Sequence, residues 1–212
     1  RRSSDLFTFY GSHFPSAPKS QYNTSMPSEI LICVDVETAG PIPSQYAMLS
    51  IGACLVMDVS TTFYVELQPD RADSLPEAMA ISGLSLEELA RHGTPPQEAL
   101  QAFADWVKRV APEGTRPVFV ALNAPFDWMF VNDYFYRYLG YNPFGHNALD
   151  IKAYYMGFAN VPWSETSMAH MATFLLQEKH LVHNALHDAQ DQAEIFSQIL
   201  KLSRRSSTEL LH

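Results

Sequence analysis

The stretch Leu31–Gly40, LICVDVETAG, poses the question that decides the fold. An apolar run that begins at Ile30 breaks at Asp35 into Asp-Val-Glu-Thr. Side chains on a strand alternate between faces. As a strand, the run puts Asp35 and Glu37 on one side and Val36 on the other. Two carboxylates side by side at a buried strand end repel, and one tends to keep its proton. Two readings are open. Either the strand end is solvated and the charges fan out into water, or the pair is part of a divalent-cation site.

The chain has 212 residues, which suits one domain, or one domain with a tail. An apolar fraction of 47% is ordinary for a globular protein. No apolar run approaches the ~20 residues of a membrane span, so no membrane association is expected. Cys33 and Cys54 both lie in apolar, strand-like runs. They read as small core residues of a protein from a reducing compartment, and a cytoplasmic location is expected. The formal net charge of −9 argues against a duplex binder that works through a basic surface. It leaves room for an enzyme that draws one strand end into a small site.

Residues 1–28 are rich in Ser and Pro and lack periodicity. They are expected to be a leader or tag without fixed structure, ahead of a domain at 29–212. Strands are expected near 30–35, 47–57 and 61–68, the last two joined by a short connection that suits a hairpin. Ser85 with Glu88 resembles a capping box. Pro95 and Pro96 open an amphipathic helix reaching about Val110. Residues 117–122 form a continuous apolar run and hence a buried strand. A helix rich in aromatics follows to about Leu139. The run NALDIKAYYMGF carries a short strand into a helix, and two more helices follow, in SMAHMATFLLQ and DAQDQAEIFSQILKLSR. Strands first, then strands alternating with helices, imply a mixed sheet with helices on its faces. Ligands in such sheets sit at the carboxyl ends of strands, where Asp35 and Glu37 lie.

Three more acids fall at comparable places. Asp127 follows the strand at 117–122, Asp150 ends NALD, and Asp188 opens the last helix. Each has a structural alternative. Asp127 and Asp188 could be first-turn acids favoured by the helix dipole, and Asp150 could be an N-cap. Together they converge on one sheet edge. Carboxylates are what Mg²⁺ uses, and paired ions are a known device for in-line phosphoryl displacement. His183, on the loop before the last helix, has an ordinary pKa suited to a general base, with His187 as its rival.

Asp35-Val-Glu37-Thr38, then Asn123-Ala-Pro-Phe126-Asp127, then His183-Asn-Ala-Leu-His-Asp188 resemble the three motifs of the DEDDh 3′–5′ exonucleases. That family includes the polymerase III proofreading subunit, ribonuclease T and oligoribonuclease. Its final motif places the aspartate five positions after the histidine, which favours His183 over His187. The resemblance runs from about Ile30 to Leu202 and takes in AISGLSLEEL. It implies an α/β, ribonuclease H-like fold with a five-stranded mixed sheet whose second strand is antiparallel, flanked by helices. It also implies two Mg²⁺ or Mn²⁺ ions held by Asp35, Glu37, Asp127 and Asp188, with His183 as the base. The implied substrate is a single-stranded DNA or RNA 3′ end, and the product a nucleoside 5′-monophosphate. Thr38, Met48, Leu49, Asn123 and Phe126 are expected at the substrate. Met48 or Leu49 would act as an apolar wedge, Tyr46 could stack, and Asn123 would hydrogen-bond within its motif. A homodimer or a polymerase partner is compatible with this pattern. The alternative is a non-catalytic or partner-dependent proofreading subunit.

Overall fold

The computed structural model describes residues 28–175 and 184–209. The acidic run is a strand. β1 (Ser28–Thr38) pairs antiparallel with β2 (Met48–Leu55), which turns into β3 (Asp58–Glu66). The chain then forms α1 (Pro76–Ser82), α2 (Leu86–His92) and α3 (Pro96–Val110). β4 (Thr115–Ala121) returns parallel to β1 and leads into α4 (Ala124–Leu139). β5 (Ala148–Asp150) joins β4 in parallel, and α5 (Ile151–Ala159), α6 (Met168–Phe174) and α7 (Ala185–Glu209) complete the fold. The sheet order is β3-β2-β1-β4-β5, with β2 the antiparallel member. This is the ribonuclease H-like sheet that the motifs imply.

The period-two pattern of β1 divides the core. Ile32, Val34 and Val36 face α3 and α4, where Phe103, Phe119, Phe130 and Phe135 fill the layer. Cys33 faces α7 with Val120, Ala189, Ala193 and Phe196. Asp35 and Glu37 continue this second face past the end of the apolar core. The aromatic run on α4 is mostly core. Phe130, Tyr134 and Phe135 are fully buried, and Phe103 stacks on Phe63 at 4.9 Å and on Phe135 at 5.7 Å.

Local signals match the sequence in several places. Ser85 accepts a bond from the Glu88 N–H at 3.3 Å and caps α2. The Pro pair opens α3. The last helix starts three residues before Asp188, with the Asn184 Oδ1 accepting from the Leu186 and His187 N–H groups. Helix α1 was not anticipated by any apolar periodicity. Among the described residues no helix is long and apolar enough to cross a membrane.

Candidate active site

Pairing between β1 and β4 stops at Cys33 and Val120, two residues before Asp35. Beyond that point the strands part, and α4 starts in the gap. Asn123 enters it with a left-handed backbone (φ 65°) that turns the chain from β4 into the helix. The Val36 N–H, left without a β4 partner, donates to the Asp127 Oδ1 at 3.2 Å. The first turn of α4 thereby docks onto β1, with Asp127 buried beside the other acids.

Asp188 comes from the opposite layer. The start of α7 lies directly on β2 at Gly52, the residue opposite Asp35 in the register. A Cβ at Gly52 would sit 2.2 Å from the backbone of Ala185 and Leu186. Only a residue without a side chain permits that contact. It brings the Asp188 carboxylate to Asp35 and Glu37, so that one oxygen of each lies within 4.8 Å of the other two.

Three acids at this distance, with Asp127 nearby, disfavour ionisation. Burial raises Asp35 well above the usual carboxylate range, and the charges of Asp127, Asp188 and Glu37 raise it further. Burial lifts Glu37 to about 7, with Asp188 adding to the effect. Burial also raises Asp127, although the N–H bond from Val36 opposes it. Gln192, one turn beyond Asp188 on α7, donates from its Nε2 to the Asp35 Oδ1 at 2.7 Å and favours the ionised form. The donors are all hard carboxylate oxygens, drawn from three elements and converging on one point. This chemistry suits a hard divalent cation, whose charge removes the mutual repulsion.

Beside Glu37 a cavity of about 330 Å³ opens to the surface. Glu37 and Thr38 line it together with the apolar side chains of Pro41, Leu75, Ile81 and Phe126. Its size and composition suit one nucleotide. The Thr38 hydroxyl donates to the Gly40 carbonyl at 2.9 Å and shapes the turn leaving β1. Phe126 leans on Phe130 at 5.5 Å and faces the cavity.

The structure corrects several expectations. Met48 and Leu49 are fully buried and cannot wedge against a substrate. β2 is covered on both faces, so Met48 packs into the α3–α4 layer while Leu49 packs under α2 with Leu89. Tyr46 is also buried, its ring pressed against Gly40, where a Cβ would lie 2.4 Å from the ring. Asn123 acts through its backbone conformation, and its side chain makes no capping bond. Pro41, Leu75 and Ile81, not singled out by sequence, take the apolar positions at the cavity. No sequence signal marks them: Pro41 lies in the loop after β1, Leu75 precedes α1, and Ile81 is a residue of α1 that the fold leaves 55% exposed. Asp150 takes no place in the acid cluster. Its Oδ1 caps α5 at the Ala153 N–H, and its Oδ2 accepts from the Ala124 N–H, each at 2.6 Å. His183 lies outside the described residues.

Comparison with known proteins agrees with the geometry. The exonuclease family model RNase_T matches residues 32–196. The 3′-5′ DNA exonuclease Cap18 of Escherichia coli is 46% identical over 181 residues, covering 85% of this chain and 97% of that protein. Ribonuclease T of Klebsiella pneumoniae subsp. pneumoniae is 29% identical, over 82% of this chain and 86% of that one. Among solved structures, the nuclease domain of 3′hExo, a DEDDh family member bound to rAMP, superposes with a TM-score of 0.69. It is 19% identical, covering 81% of this chain and 92% of that one, and so speaks for the fold.

Proposed function

As the chain belongs to the DEDDh-type 3′–5′ exonucleases, we propose that it shortens single-stranded DNA from the 3′ end, using two Mg²⁺ or Mn²⁺ ions. The observation that carries this reading is the convergence of Asp35, Glu37 and Asp188 within 4.8 Å, beside a cavity of nucleotide size. DNA is preferred over RNA because the 46%-identical relative is a DNA exonuclease, while the ribonuclease relative is 29% identical. A single-stranded end is preferred because the cavity admits one nucleotide and the chain has no excess of positive charge to hold a duplex.

In this reading Asp35, Glu37, Asp188 and Asp127 hold the cations. When bound, these ions supply electrostatic stabilisation for the charge that gathers on the phosphoryl oxygens. The terminal nucleotide enters the cavity and meets the apolar side chains of Phe126, Pro41 and Ile81. Glu37 and Thr38 border the sugar. Water attacks the last phosphorus, the bond to the preceding 3′ oxygen breaks, and His183 accepts the water's proton. The leaving oxygen is reprotonated. The products are a nucleoside 5′-monophosphate and a strand one nucleotide shorter. Residues 29–212 constitute the exonuclease domain. Cys33 and Cys54, free thiols facing each other across β1 and β2, suit a reducing cytoplasm.

The test uses 5′-labelled single-stranded DNA and RNA of one sequence, with Mg²⁺, Mn²⁺ or EDTA, beside Asp35→Asn. The expected result is a metal-dependent ladder from the 3′ end, faster on DNA and absent in the variant. Faster shortening of RNA would move the substrate class. No cleavage with metal binding intact would leave a partner-dependent subunit.

A further inference from the structure

Gln192 sits at the meeting point of the three elements that deliver the acids. It is 3% exposed and lies on the same face of α7 as Asp188, four residues earlier. Its Oε1 accepts the Leu122 N–H at 2.8 Å, in the turn between β4 and α4. The Cys33 thiol on β1 approaches the same oxygen at 3.8 Å. Leu122 N–H can only donate, so the amide orientation is decided: its oxygen faces Leu122 and its nitrogen faces Asp35. The Nε2 bond to the Asp35 Oδ1, at 2.7 Å, therefore reaches Asp35 from an amide whose own orientation is set by the fold.

Resting on the cation-site reading above, we infer that Gln192 is a positioning residue for Asp35. It aims the Asp35 carboxylate into the cluster before any cation arrives and sets how tightly the site holds a divalent ion. A flexible carboxylate repelled by three neighbours would turn toward solvent. A short bond from a buried, doubly anchored amide opposes that rotation. It occupies Oδ1 and keeps Oδ2 directed by geometry. The same amide ties Leu122 to α7, so Asp127 and Asp188, which reach the site from opposite layers, share one reference point. Residues that orient metal-holding side chains in this way typically change affinity or activity by about 10–100-fold when replaced.

The alternative is that Gln192 only satisfies a buried N–H. Two substitutions separate these roles. Gln192→Met keeps the volume and removes both bonds. Gln192→Glu keeps an acceptor for Leu122 and removes the donor to Asp35. Calorimetric titration with Mn²⁺ alone, without nucleic acid, is run on wild type, both variants and Asp35→Asn at a temperature where all are folded by circular dichroism. Turnover on single-stranded DNA at saturating Mn²⁺ is measured alongside. The expected result is Mn²⁺ binding weakened by about tenfold or more in Gln192→Met, with KM for DNA little changed, and no recovery of turnover in Gln192→Glu. If Gln192→Met is folded and binds Mn²⁺ as wild type does, or if Gln192→Glu restores wild-type affinity and turnover, Gln192 is structural only and the inference fails. If Asp35→Asn itself binds Mn²⁺ as wild type does, the cation-site reading fails instead.

Discussion

Gly52→Ala is the sharpest test of how the site is assembled. The substitution adds one methyl group to a strand residue with no unusual dihedral requirement. A surface strand would absorb it without consequence. Here the new Cβ meets main-chain atoms of Ala185 and Leu186 at 2.2 Å, where ordinary contact begins at 3.4 Å. Those atoms are backbone at a helix start and cannot swing aside as a side chain would. The start of α7 must retreat by about 1.2 Å, or β2 must bend by as much. Overpacking of this kind costs about 1–3 kcal/mol, which a domain of this size survives. The functional cost is larger. Asp188 follows Ala185 by three residues, and the acids meet within 4.8 Å, so the retreat is a quarter of the spacing that defines the cluster. Misplacement by about 1 Å can cost about 100-fold in rate. Gly52→Ala should therefore fold, melt a few degrees lower, and lose about two orders of magnitude in kcat/KM on single-stranded DNA with Mn²⁺. Melting by circular dichroism and steady-state hydrolysis of a 5′-labelled strand measure the two effects separately. A folded variant with wild-type kcat/KM would refute the claim that close approach of α7 delivers Asp188.

Two further outcomes follow from the acids themselves. Glu37 binds its proton more tightly in the metal-free fold than in the unfolded chain, about 7 against 4.5, so stability is fully present below pH 4.5 and is lost as pH rises through 7. In EDTA the stability should fall between about pH 4.5 and 7, Glu37→Gln should reduce the fall by on the order of 2 kcal/mol after discounting for solvent screening, and Mn²⁺ should oppose it; a flat profile for wild type in EDTA would remove the repulsion. Asp150→Ala removes the acceptor for both Ala124 and Ala153 and should cost about 2 kcal/mol in urea unfolding, with Asp150→Asn intermediate because an amide offers one oxygen; equal stability of all three would show that neither helix start depends on it.

The elements that could be read from sequence are those whose signal is local. Alternation places Asp35 and Glu37 on one face whatever lies above them, and the structure keeps them there. Asp150 before IKAYY is a cap by local chemistry, and it caps α5. The expectation for Met48 and Leu49 fails for a non-local reason. Nothing within AMLSIG reveals that β2 will be covered by α7 on one face and by the α3–α4 layer on the other. An apolar residue after the first motif is equally consistent with a wedge and with core, and only the sheet order decides. Ile81 and Pro41 escape notice for the mirror-image reason: their exposure is a property of the cleft. Gln192 carries no local signal either. Its spacing from Asp188 is informative only once α7 is known to lie across β1.

The placement of α7 carries a wider consequence. A site made of mutually repelling acids works against the fold that builds it, and natural structures concentrate such conflicts where function requires them. Here the same helix brings both the repulsion and its partial remedy. Asp188 adds charge beside Asp35, and Gln192, one turn further along, donates a hydrogen bond to that same carboxylate. On the other layer Asp127 adds charge, and the Val36 N–H of the acid-bearing strand stabilises it. Asp35 and Asp127 each accept from a donor that reaches them only when α7 or α4 is docked on β1. The contacts that dock α4 and α7 on β1 are therefore the same ones that fix the Asp127 and Asp35 carboxylates.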